Sequence, residues 1–244
     1  MCTIAFLVGV TDVPLVIAAN RDELYARPTR SPEHVAPGVL AGVDVVSGGT
    51  WLAVDARGRF AAVTNQRALA PAPPGQLRSR GLAVTELVLA DDQDAYVAAL
   101  DPRAYASMNL AWGDADHVSI AYVRVTGEKE IVRLPRGVHV LCNDKLGAPG
   151  FPRADRLHAA IEPHLHSPDL REVLQTALGD HTKVEPGPSH LAPALARELT
   201  ATCIHTESYG TRSSTIVELE RGRVRGYLHA DGPPCVTAFR ELHA

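Results

Sequence analysis

Residues 3–10 and 14–20 are nearly continuous runs of Val, Ile, Leu and Ala, separated by Thr11-Asp12-Val13-Pro14. Runs this short, bounded by turn residues, read as the two strands of a hairpin. Neither strand alternates apolar with polar residues, so both faces of the hairpin are expected to be covered. Residues 24–50 carry Arg27-Pro28, Ser31-Pro32, Pro37-Gly38 and Gly48-Gly49 and read as a loop region. Strands follow near 51–55 and 60–64, joined by the turn composition Ala56-Arg57-Gly58-Arg59. The proline-rich stretch 66–79 reads as another loop.

The period then changes. Leu82, Val84, Leu87 and Leu89 fit a helix over 81–90, and a second helix over 93–100 follows Asp91-Asp92. Strands are predicted near 107–112, 117–125, 129–134 and 138–142, with Gly127 and Gly137 at turns. Helices fit 153–165 and 169–178, the second opened by Ser167-Pro168-Asp169 and closed by Gly179. A loop over 180–194 leads to a short helix over 192–200, then strands near 212–219, 223–229 and 235–240. This alternation of strand blocks and helix blocks predicts an α+β protein of antiparallel sheets with helices packed outside. Two sheets face to face would explain strands that are apolar on both sides. No repeat or linker interrupts the pattern, so residues 1–244 are expected to form a single domain.

Composition narrows the function classes. The 244 residues are 45% hydrophobic and 21% charged, an ordinary globular balance, with a formal net charge of −4 and no run of arginines. Nucleic acid is therefore not an expected partner. The apolar N-terminal pieces are too short to span a bilayer and lack a basic start, so no signal peptide and no stable membrane insertion are expected. The four cysteines, Cys2, Cys142, Cys203 and Cys235, form no C-x-x-C pair. Their spacing suits neither a zinc site nor a disulfide framework, and reduced thiols in a cytoplasmic protein are the simplest reading. His158, His164 and His166 lie close in sequence without a suitably spaced partner, and His117, His181, His190 and His205 look isolated. No metal and no cofactor are expected.

The candidate chemistry sits at the start. Once Met1 is removed, Cys2 carries a thiol and a free α-amine on one residue. A thiol of pKa about 8.5 is roughly 3% thiolate at pH 7, whereas the amine, with a pKa of about 7.7–8.0, can take the thiol proton directly. Cys2 could equally be a small apolar residue opening a buried strand. If the hairpin closes, Asn20-Arg21-Asp22-Glu23 lies beside it. Strand alternation puts Asn20 and Asp22 on one face and Arg21 on the other. Arg21 could then stabilise a thiolate and Asp22 orient the ammonium.

Met1-Cys2, Ala19-Asn20-Arg21-Asp22-Glu23, Tyr25 and Arg27-Pro28 resemble the NRDE family, which includes the transport and Golgi organisation protein 2 group. Further pieces match in order: Gly48-Gly49-Thr50-Trp51-Leu52, Thr64-Asn65, Ser79-Arg80-Gly81-Leu82, Val140-Leu141-Cys142-Asn143 and Tyr209-Gly210-Thr211-Arg212-Ser213-Ser214-Thr215. The resemblance implies an N-terminal-nucleophile hydrolase fold, a four-layer αββα sandwich of two antiparallel sheets. By that likeness Cys2 is the nucleophile, Arg21 and Asp22 attend it, and Asn65 supplies an oxyanion N–H. Asn143 then resembles the oxyanion asparagine and Arg212 the late-strand arginine. Here Asn20 precedes Arg21, a departure in local order. Asn20, Trp51 and Ser213 are the candidates to contact substrate, although Ser213 and Ser214 could simply cap the strand. Two functions follow. One is hydrolysis of an amide (C–N) or related acyl bond of a small molecule by Cys2. The other is non-catalytic binding and trafficking of haem or of lipid and acyl-CoA on the same fold.

Overall fold

A computed structural model describes residues 2–67, 77–189 and 191–243. Met1, His190 and most of the loop expected over 66–79 lie outside them. Among the described residues, thirteen strands run β1 Cys2–Val8, β2 Leu15–Leu24, β3 Thr29–Ala36, β4 Val39–Asp44, β5 Leu52–Asp55, β6 Phe60–Asn65, β7 Met108–Gly113, β8 Val118–Val123, β9 Lys129–Arg133, β10 Gly137–Leu141, β11 Tyr209–Glu220, β12 Arg223–Ala230 and β13 Arg240–Glu241. Five α-helices accompany them: α1 Arg80–Leu89, α2 Gln93–Ala99, α3 Pro152–Ile161, α4 Leu170–Leu178 and α5 Pro193–Glu198.

The strands form two antiparallel sheets, one of order β10-β1-β2-β11-β12-β13 and one of order β3 to β9 in sequence. Between the sheets, Ile4, Phe6, Leu15 and Ile17 meet Leu40, Leu52, Val54 and Phe60. The Phe6 and Phe60 rings meet there at 5.8 Å and 38°, a tilted pair worth about 0.5–1.5 kcal/mol beyond its buried area. The outer face of the first sheet (Ala5, Leu7, Val16, Ala18) is covered by Leu157 and Ile161 of α3 and by Leu174 and Leu178 of α4. The outer face of the second (Ala41, Ala53, Ala61, Val63) is covered by Val84, Leu87 and Val88 of α1 and Val97 of α2. Helix, sheet, sheet and helix are thus stacked in that order. This is why β1 and β2 are apolar on both faces.

Three sequence expectations change. The loop over 24–50 contains β3 and β4. β3 is an edge strand, largely exposed and irregular in register, and there Pro32 deprives no neighbour of a donor. Pro37 and Gly38, the latter at φ +69°, make the turn into the buried β4. The strand over 235–240 shrinks to Arg240–Glu241, because the Val236 and Thr237 N–H groups donate to the Pro233 carbonyl and hold 233–237 as a turn. The helix over 153–165 turns 3-10 at Glu162–His164, where Pro163 lacks the N–H that an α-helix would use. Among the described residues, no helix is long and apolar enough to cross a membrane.

Candidate active site

The hairpin register sets Cys2 opposite Arg21 and Thr3 opposite Asn20. β2 continues to Leu24, so the polar tail of the strand lies alongside the chain start. Burial pushes the thiol of the half-buried Cys2 up, the nearby Asp22 carboxylate adds to the rise, and Arg21 pulls it back. β11 pairs with β2 on its other side, and its register slips between Thr211 and Ser213, leaving Arg212 in a bulge. The Thr211 hydroxyl donates to Asp22 Oδ1 at 2.7 Å. Asp22 is 2% exposed; burial raises its carboxyl, while Arg153 and the Thr211 bond draw it down.

Arg21 faces the other way, into a cleft of about 400 Å³ lined by Cys2, Asp22, Trp51, Asn65, Arg80 and others. Its guanidinium lies 4.3 Å from the centre of the Trp51 ring and donates to Asp44 Oδ2 at 3.3 Å. Gly42 makes room for that indole, since a Cβ there would sit 2.3 Å from Trp51 Cη2. Asp44 also accepts two bonds from Arg27, at 2.6 and 3.1 Å, and the N–H groups of Val46 and Ser47. Burial alone would raise its carboxyl, but these donors outweigh it and hold it below the usual carboxylate range. The carboxylate is therefore fixed as an anion between two arginines. Arg80 reaches the cleft from α1 and donates to the Ser107 carbonyl at 3.3 Å. Among the described residues, Arg80 makes no salt bridge and the buried Arg21 Nη1 has no hydrogen-bond partner.

Two of the sequence motifs close on one another below this cleft. Thr50 N–H donates to the Gly81 carbonyl at 3.1 Å, and a Cβ on Gly49 would lie 2.2 Å from the Gly81 carbonyl carbon. Neither backbone can yield as a flexible side chain would. Gly49→Ala is expected to cost about 1–3 kcal/mol or more and to lower the melting temperature measurably. An unchanged melting temperature would show that the clasp is not needed.

The segment after β10 reaches the cleft residue Asn65 without itself lining the cleft. Continuing the β1–β10 register from Ile4↔Leu141 puts Cys142 beside Thr3 and Asn143 opposite Cys2. The 3.9 Å approach of Thr3 Oγ1 to Cys142 Sγ agrees. Asn143 donates to the Asn65 carbonyl at 2.8 Å and accepts from Arg153 at 3.1 Å. Val63 N–H donates to the Trp51 carbonyl. Strand alternation sends the Asn65 N–H the same way two residues on, beyond the end of β5. Thr64 and Asn109 pin the segment from the second sheet. Thr64 Oγ1 donates to the Cys142 carbonyl at 2.7 Å, and Asn109 donates to the carbonyls of Cys142 and Asp144 at 3.2 and 3.0 Å.

The structure thus gathers Cys2, Arg21, Asp22, Trp51 and Asn65 around one cleft, with Asn143 braced against it. Arg212 sits in the bulge beside Arg21 and donates to the Tyr25 carbonyl at 2.7 Å. Ser213 is buried opposite Arg21 in the strand register. Asn20 departs from the expected substrate contact. Its amide donates to the carbonyls of Leu178 and Thr202 at 2.9 and 3.0 Å and accepts from Ser214 Oγ. It therefore fastens β2 to the helical layer. Sequence reasoning did not single out Asp44, Asn109 or Arg153, and it quoted Arg80 only within the Ser79-Arg80-Gly81-Leu82 motif without a role; all four depend on contacts between distant segments. It also treated His181 and His205 as isolated. The fold instead brings both together with Cys203 and Cys235.

The sequence model for Transport and Golgi organisation 2 matches residues 1–227. The human Transport and Golgi organization protein 2 homolog is 30% identical over 226 residues, covering 83% of this chain and 81% of the relative. The Bos taurus homolog matches to the same extent, 30% over 226 residues. Among solved structures, a Caenorhabditis elegans N-acylethanolamine-hydrolyzing acid amidase ortholog superposes with a TM-score of 0.54 at 7% identity, covering 89% of this chain and 92% of that one. A variant of conjugated bile acid hydrolase from Clostridium perfringens gives a TM-score of 0.56 at 12% identity, covering 100% of this chain and 97% of that one. At such identities the likeness carries the fold, the α+β sandwich of N-terminal-nucleophile hydrolases. The sequence match over residues 1–227, with Cys2 and Arg21-Asp22-Glu23 meeting at one cleft, makes this chain a member of the Transport and Golgi organisation 2 family.

Proposed function

We propose that this chain is an N-terminal cysteine hydrolase that cleaves an amide or related acyl bond in a small anionic molecule. The supporting observation is the placement of Cys2 on the wall of a cleft that also holds Arg21, Asp22, Asn65 and Arg80. Burial keeps the thiol protonated, so a base is needed beside it. Removal of Met1 frees the Cys2 α-amine, which takes the thiol proton, and Asp22 orients the resulting ammonium. The thiolate attacks the carbonyl carbon. The oxyanion is held by the Asn65 N–H and the second amide hydrogen of Asn143. The C–N bond breaks as the ammonium returns its proton to the leaving amine. Water then hydrolyses the thioester, releasing a carboxylic acid and restoring the thiol. Arg80, without a salt-bridge partner among the described residues, and the unpaired Arg21 Nη1 favour an anionic group on the substrate.

Intact mass of the purified chain, before and after a thiol-reactive acyl analogue bearing a carboxylate, tests this reading. The expected result is a chain lacking Met1 that gains one acyl adduct on Cys2. A retained Met1 would rule out the α-amine mechanism. Saturable haem or acyl-CoA binding with no turnover of amides or thioesters would favour the carrier reading instead.

A further inference from the structure

Away from the cleft, the end of α4, the segment after α5 and the turn after β12 converge. They bring His181, Cys203, His205 and Cys235 together, with one ligand atom of each lying within 4.8 Å of the other three. Cys203 Sγ lies 3.8 Å from Cys235 Sγ and 3.6 Å from His205 Nε2, and His205 Nε2 lies 3.3 Å from Cys235 Sγ. Zinc bonds of about 2.3 Å to sulfur and about 2.0–2.1 Å to nitrogen, at tetrahedral angles, separate two sulfurs by about 3.8 Å and a sulfur and a nitrogen by about 3.6 Å. The three distances are close to those edges. His181 Nδ1 is 3.1 Å from the Cys203 carbonyl, the backbone bond that commonly orients a metal-binding imidazole. That bond selects the tautomer with its lone pair on Nε2.

We propose that His181, Cys203, His205 and Cys235 bind one zinc-class divalent ion in a tetrahedral Cys2His2 site. Two thiolates and two neutral imidazoles balance the charge of the ion, and binding releases the two thiol protons to solvent. Sulfur and imidazole donors select zinc-class ions over magnesium or calcium. The ion would staple three segments drawn from residues 181–235. It would also brace the active site from behind. Ile204, between two of the ligands, donates its N–H to Thr211 Oγ1, and that hydroxyl donates to Asp22. The competing fate is a Cys203–Cys235 disulfide, which requires the sulfurs to close from 3.8 Å to about 2.05 Å.

The test uses the full chain, reduced and stripped of metal, titrated with cobalt(II) and then zinc(II). One equivalent of cobalt should give a tetrahedral spectrum with thiolate-to-metal charge transfer, and zinc should abolish it. Cys2→Ala should leave that spectrum unchanged. Cys235→Ser and His205→Gln should weaken binding by more than the roughly 10–100-fold that an outer-shell change costs. Zinc should raise the melting temperature of the wild type and not of Cys235→Ser. Three results would overturn the proposal: an octahedral cobalt spectrum, binding indifferent to both ligand variants, or a reduced chain that takes up no ion. A purified chain two hydrogens lighter, which once reduced still binds no ion, would assign the pair to a disulfide.

Discussion

Cys2→Ala is expected to lower kcat/KM on a carboxylate-bearing amide or thioester by about 10⁴-fold or more, the scale on which hydrolases lose activity without their nucleophile. The effect should be clean because the substitution asks little of the fold. Cys2 occupies the first position of β1, with Ala5 and Ala18 already fully buried in the same hairpin. Alanine at residue 2 also preserves the backbone pairing with Arg21. Melting temperature and circular dichroism should therefore match the wild type. Cys2→Ser retains an oxygen nucleophile beside the same amine and should keep only a small residue of activity, because a hydroxyl is far harder to deprotonate than a thiol. Steady-state kinetics on the three proteins, each with Met1 removed, make the comparison. Turnover by Cys2→Ala within tenfold of wild type would remove Cys2 from the chemistry.

The parts of this site that could be read in the chain are those set by local pattern. Two short apolar runs around Thr11-Asp12-Val13-Pro14 dictate a hairpin, and the hairpin dictates that Arg21 and Asp22 flank Cys2. The helices fared similarly: Gly179 ends α4, and Asp92 accepts the Ala95 N–H at 2.9 Å to open α2. What stayed hidden depends on distant segments. β3 and β4 were obscured because proline and glycine mark loops in general, while an edge strand and a tight turn tolerate both. Asp44 has no local signature, and the Ser79-Arg80-Gly81-Leu82 motif does not disclose a role for Arg80, which reaches the cleft only after α1 packs on the second sheet. Asn20 shows the limit of face alternation, which correctly separated it from Arg21. Its donation to Leu178 and Thr202 nonetheless required knowing which layer covers that face. The four ligands at 181, 203, 205 and 235 match no spacing rule because they come from three separate connections.

Arg153→Met is expected to destabilise the protein by about 3–5 kcal/mol, the cost of stripping the partner from a buried charge. For a chain of this length that corresponds to a fall of very roughly 6–20 °C in melting temperature. Arg153 is 1% exposed on α3 and has no contact with bulk water to fall back on. One guanidinium nitrogen donates to the Leu199 carbonyl at 2.7 Å and another to Asn143 Oδ1 at 3.1 Å. Its charge also draws down the carboxyl of Asp22, which burial pushes up. Removing it releases three things together: the segment leading to Cys203, the amide that holds the Asn65 carbonyl, and the charge that opposes the burial-driven rise of the Asp22 carboxyl. A double-mutant cycle with Asp22→Asn separates them. If the charge pairing dominates, neutralising Asp22 should return part of the loss, with a coupling of about 0.5–3 kcal/mol. If the two carbonyl-type bonds dominate, the losses will add, and Arg153→Lys will not rescue them, because a single ammonium cannot span both acceptors. A melting temperature for Arg153→Met within about 1 °C of wild type would mean that neither its two hydrogen bonds nor its charge beside Asp22 stabilises the fold.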